Sequence, residues 1–225
     1  MTKEIITFSP DELLPFARAA FVRSCGFQAD HDKHRRMSEL AERALEDIID
    51  QLNPTAIVSA FDGDALQGDQ IIAGDVSFHC PLFSSFDPKH VEWIYAFMLT
   101  VGEFETSLKG ITSTVFADMW GTVFCDAMVE ALSDQLGAKT IVYPGFYGFP
   151  LSSVPQFASL LDSGRIGIRV HASYVTTPIK SCSGFMFAST EPLPLPENTC
   201  DNCSANKHWC IVCKKNQNMQ KKSML

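Results

Sequence analysis

The chain has 225 residues, 46% of them hydrophobic and 20% charged, with 26 acidic side chains against 18 basic ones. That is the composition of a folded protein of one or two domains, and the formal charge of -8 argues against a nucleic-acid binder, whose surface is usually basic. The longest apolar run, residues 93–101, falls far short of the ~20 residues a membrane-spanning helix needs. Glu4 follows the first residues at once and no long apolar stretch succeeds it, so no secretory signal is expected and the default address is the cytoplasm.

Ser9-Pro10-Asp11-Glu12 opens the first expected helix. The Ser9 hydroxyl can accept from the Glu12 N–H while the Glu12 carboxylate reaches back, and proline suits the first helical position. Pro15 interrupts the pattern, so the helix either begins there, kinks there or runs through to a stop at Gly26. A second helix is expected from Asp32, because Met37, Leu40, Ala41, Ala44, Leu45, Ile48 and Leu52 recur at steps of three and four. Residues 55–61 and 75–82 have strand composition, separated by turn-rich sequence. Residues 91–101 fit a buried strand or a short core helix. A long helix is expected over 114–136, ended by Gly137.

The loop Tyr143-Pro144-Gly145-Phe146-Tyr147-Gly148-Phe149-Pro150 excludes a regular element. Its aromatic rings either plug a sheet edge or wall a ligand site, where glycine lets backbone come close and ring faces stack on a planar group. Ser153-Val154-Pro155-Gln156 is a second possible capping box, and residues 166–170 and 181–188 read as closing strands. Pro192, Pro194 and Pro196 alternate with leucine in an extended linker. The expected layout is one α+β domain over residues 1–190 and a cysteine-bearing tail over 191–225.

Eight cysteines divide into two sets. Cys25, Cys80, Cys125 and Cys182 are scattered, and the last two sit in apolar patterns that fit small core residues. Cys200, Cys203, Cys210 and Cys213 form two C-x2-C pairs. Thiolates so spaced can grip one metal from two sides, which suits an iron–sulfur cluster or a structural zinc, with an unmetallated or disulfide-bonded tail as the remaining possibility. On the long helix, Asp118 and Glu130 are more than three turns apart and form no carboxylate pair. The chain holds no recognisable catalytic triad, phosphate loop or dinucleotide fingerprint.

Taken in order, Tyr143-Pro144-Gly145-Phe146, Pro150-Leu151 with Gln156, Leu160-Leu161-Asp162, Ile166-Gly167-Ile168, Ser173-Tyr174 and Pro178-x-Lys180-Ser181-x-Ser183-Gly184 resemble the activation (reactivation) domain of cobalamin-dependent methionine synthase. The likeness is closer to its stand-alone relatives with cysteine-rich tails, and Leu99-Thr100-Val101-Gly102 and the helix bearing Asp118 and Glu130 extend it upstream. The resemblance implies an α+β fold with a twisted antiparallel sheet and flanking helices. It further implies S-adenosylmethionine binding and docking over a corrinoid for reductive methylation. Carried over by position, Gly145 and Phe146 line the cofactor cleft beside Tyr143, Tyr174 meets the ligand from the opposite strand, and Glu130 supplies a polar contact.

Three departures weaken the polar contacts to S-adenosylmethionine together. Ile141 stands where the family has an arginine, Phe146 replaces a tyrosine, and His171-Ala172 replaces Thr-Glu. An aliphatic chain cannot substitute for a bidentate pair with a carboxylate. The expected role is an accessory protein that services or reactivates a corrinoid protein or methionine synthase, which carries the cobalamin, with an electron-transfer protein as a further partner. A non-catalytic binding module with a zinc tail is the alternative, and neither nucleic acid nor membrane is expected as a partner.

Overall fold

The computed structural model describes residues 2–26 and 32–196. Strand β1 (Lys3–Thr7) leads to helix α1 (Pro10–Cys25), whose start is the expected capping box. The Asp11 N–H donates to Ser9 Oγ at 3.3 Å, and the Ser9 N–H donates to Glu12 Oε2 at 3.2 Å. The helix runs through Pro15, which is exposed near the N-terminus, where water can satisfy the one carbonyl left without a donor. Helix α2 (Asp32–Ile48) buries Ala41, Ala44, Leu45 and Ile48, as its spacing requires.

Strand β2 (Thr55–Asp62) is followed by a small meander of β3 (Leu66–Gln67), β4 (Gln70–Ala73) and β5 (Val76–His79), and then by β6 (Val91–Thr100). Helix α3 (Ile111–Gln135), β7 (Thr140–Val142), α4 (Val154–Leu161), β8 (Arg169–Val170), β9 (Thr176–Thr177) and β10 (Ser181–Ser189) complete the order. The main sheet has five strands in the order β1-β2-β6-β10-β7, every neighbouring pair antiparallel. This is the expected α+β class.

Alternation along each strand splits the interior in two. In β6, Phe97 and Leu99 face helices α1–α3, whereas Ile94, Ala96 and Met98 face the meander and α4. On the helix side Trp120 of α3 stacks on Phe21 of α1 at 3.9 Å, and its indole N–H donates to the Ala41 carbonyl of α2 at 2.8 Å. One buried ring thus joins three helices. The opposite core is a phenylalanine cluster in which Phe78, Phe83, Phe149, Phe157 and Phe185 meet mostly edge to face or tilted.

Several local expectations change. Residues 75–82 yield only the short β5 before Pro81 opens a 3₁₀ turn. Residues 166–170 contribute only β8, which pairs with β9 in a separate hairpin rather than in the main sheet. Ser153 forms no side-chain cap, because it already belongs to a 3₁₀ turn with φ -76° and ψ -18°. In the proline-alternating segment, Leu193 is buried in the phenylalanine-side core. The cysteines of the tail, Cys200, Cys203, Cys210 and Cys213, lie outside the described residues.

Candidate functional site

Strand β7 is one edge of the main sheet, and its alternation sends Val142 into the phenylalanine core but Ile141 and Tyr143 towards α3. The chain then folds tightly on itself. The Gly145 N–H donates to the Phe149 carbonyl at 2.7 Å, and the Phe149 N–H donates to the Phe146 carbonyl at 2.8 Å. Gly145 adopts φ 96°, open to glycine at little cost. Phe149, 1% exposed, plugs the core, while Tyr143 and Phe146 face the other way and Tyr147 lies between, packed partly against that core and partly lining the open side.

The β8–β9 hairpin carries Tyr174. Its N–H donates to the His171 carbonyl at 2.9 Å, and Tyr174 sits in the left-handed region with φ 67°. Tyr147 is also left-handed, at φ 55°. Bulky residues rarely adopt this conformation, and held strain of this kind clusters at functional sites.

Between the loop and the hairpin lies an open cleft of about 610 Å³. Its floor is Cys125, Asp126 and Val129 of α3 together with Ile141 and the start of β10. The structure therefore brings Tyr143, Phe146 and Tyr174 together, while Gly145 shapes the turn without lining the space. Glu130 is not in the wall. It is exposed on α3, and Asp126, one turn earlier, is the carboxylate that lines the cleft. The two are four residues apart on one helix face.

Cys125 and Cys182 require a correction as well. They are half-buried cleft residues, not inert core ones, because β10 presents Cys182 on its helix-facing side opposite Cys125. A hydrogen bond with Cys125, followed by burial, pushes the Cys182 thiol well up. Burial, reinforced by the nearby thiols and Asp126, likewise raises the Tyr143 phenol, and burial raises the Asp126 carboxyl. Phenol and Cys182 thiol thus stay neutral at physiological pH as donors of hydrogen bonds.

Asp118 belongs elsewhere. Lys180 Nζ lies 2.7 Å from its carboxylate and donates to Thr122 Oγ1 at 2.9 Å, on the far side of Ile179 in a second depression rimmed by Glu103 and Glu105. Among the described residues, no group of three or more His, Cys, Asp and Glu is placed to hold a metal ion, and no helix is long and apolar enough to cross a membrane.

No family model and no curated protein matches the sequence. A solved structure of the MetH reactivation domain bound to AdoHcy is similar over 87% of this chain and 81% of that one, with a TM-score of 0.64 at 15% identity. The two share a fold. The reactivation-domain fold accounts for the α+β architecture expected from residues 143–184, although at this identity the likeness is one of backbone. In this chain the fold places an apolar rim around the cleft, with Ile179 72% and Phe146 46% exposed, and Leu151 and Val175 beside them.

Proposed function

We propose that the chain is an accessory protein of a corrinoid-dependent methyl-transfer system, which docks a corrinoid protein or methionine synthase and assists its reactivation. The observation that carries this reading is the open, aromatic-walled cleft with its exposed apolar rim in a reactivation-domain fold. The similar MetH domain holds AdoHcy, and a cleft of about 610 Å³ is of ligand size. Tyr143, Phe146 and Tyr174 would cover a flat ligand and exclude water, while the neutral Tyr143 phenol and Cys182 thiol would orient it. The protein supplies proximity to a methyl donor, and no acid–base group is required of it.

Two measurements test the proposal. In sedimentation followed at the cobalamin absorbance, the chain should travel with cobalamin-loaded methionine synthase, and Phe146→Asp or Ile179→Asp at the rim should weaken that association about 10-fold. Independent migration of the native chain and the cobalamin-loaded methionine synthase would remove the proposal.

The second concerns the tail. We propose that residues 191–225 form a linker and metal-bearing tail beside a domain of residues 1–190, with Cys200, Cys203, Cys210 and Cys213 as ligands in a reducing cytoplasm. Four thiolates suit zinc or iron equally. Protein purified without oxygen should show broad visible absorbance that dithionite bleaches if the tail holds a cluster passing electrons to the partner, and should be colourless with one bound zinc if the tail is structural. Metal-free protein in both assays would count against the tail assignment.

A further inference from the structure

The charge inventory of the cleft is lopsided. Among the seventeen residues that line it there is no lysine, arginine or histidine, and Asp126 is the one acidic side chain. Asp126 makes no ion pair or hydrogen bond with another described residue, so among the described residues no cation offsets a charge at this point of the cleft. The nearby cations are engaged or turned away. Lys180 is held by Asp118 and Thr122 in the other depression. The His171 ring lies 2.7 Å from Thr177 Oγ1 and does not line the cleft. Lys139, which follows α3, is exposed and also absent from the lining.

The aromatic rings make the matching half. Tyr143 and Phe146 meet at 63° with centroids 6.1 Å apart, which forms a corner rather than a stack. Tyr147 adjoins them, and Tyr174 closes the space from the hairpin opposite. Ring faces carry negative partial charge and attract alkylated cations, most strongly where water is displaced. A ligand carboxylate in the same space would meet ring faces, aliphatic Ile141 and Asp126, with no guanidinium to pair with.

We propose that the cleft is built for an onium cation that lacks a carboxylate, a sulfonium or quaternary ammonium group seated between the tyrosine rings and Asp126. This assignment rests on the cleft being the ligand site of the proposed methyl-transfer role, and it narrows the ligand to cations whose charged centre carries transferable alkyl groups. Sulfonium and ammonium share the chemistry, and matched pairs of ligands tell them apart.

The test is calorimetric titration of the full chain with two such pairs. Decarboxylated S-adenosylmethionine is compared with S-adenosylmethionine, and choline with glycine betaine. In at least one pair the member without the carboxylate should bind about 10-fold tighter, a gap of ~1.4 kcal/mol. Asp126→Asn, checked for an unchanged melting temperature, should weaken that ligand at least about 10-fold and spare a neutral adenosine control. Ile141→Arg should reverse the preference towards the carboxylate-bearing member. Equal or tighter native binding of both carboxylate-bearing members overturns the inference, as does the absence of binding by all four. Because sedimentation with cobalamin-loaded methionine synthase is read separately, co-sedimentation without onium binding fails this inference alone. Onium binding without co-sedimentation fails the functional reading and leaves the site.

Discussion

Gly184→Ala should lower the melting temperature by about 6–12 °C and dismantle the cleft with it. A Cβ at this position would lie 2.5 Å from the Val142 carbonyl oxygen and 3.3 Å from Phe97 Cε1. That oxygen is backbone in β7, whose register with β10 is fixed by Phe185 opposite Val142, Met186 opposite Ile141 and Phe187 opposite Thr140. The clash can be relieved only by lifting the short edge strand, at a cost of about 3 kcal/mol, and in a domain of this size each kcal/mol shifts melting by about 2–4 °C. Ile141 and Tyr143 move with the strand, so the near-ultraviolet circular dichroism of the aromatic wall should weaken below the melting transition. Gly137→Ala is the control. A Cβ there meets nothing within 4 Å, and only its φ of 63° opposes the change, so about 1 kcal/mol is expected. Equal melting of the two variants would mean that β7 does not pack on Gly184.

The elements legible in the sequence were those whose signal is local. The Ser9 box, the three-and-four spacing of α2 and Gly26 and Gly137 at helix ends each rest on groups within one or two turns, and the structure keeps all of them. What escaped depends on distant partners. Strand β1 is a mostly exposed edge strand that reads as a polar terminus until β2 pairs with it. The β3–β5 meander is built from strands of two to four residues, too short for a period to emerge, although Leu66, Ile71, Ala73 and Phe78 all enter the phenylalanine-side core. In the site the aromatic loop was visible in composition, whereas Asp126 and the Cys125–Cys182 pair were not. Each of these looks like an ordinary residue in an apolar helix or strand, and only the crossing of α3 over β10 brings them to one floor.

Tyr174 separates strain from function, because its backbone and its ring are expected to answer substitution in opposite directions. At φ 67° a non-glycine residue carries about 1–2 kcal/mol of steric cost, and the ring recovers little by packing while it is 42% exposed. Tyr174→Gly removes that cost and offsets it against the greater freedom of glycine in the unfolded chain, so melting should stay within about 3 °C of the native protein. Tyr174→Ala keeps the strained backbone and loses the ring, and it should melt below the glycine variant. Both remove the wall that faces Tyr143 and Phe146, so the affinity for decarboxylated S-adenosylmethionine should fall about 10-fold in each, within the range of one cation–π contact. A glycine variant less stable than the alanine variant would show that the left-handed turn is unstrained. Unchanged affinity in both would take Tyr174 out of the ligand site, since the conformation would then be held for the hairpin alone.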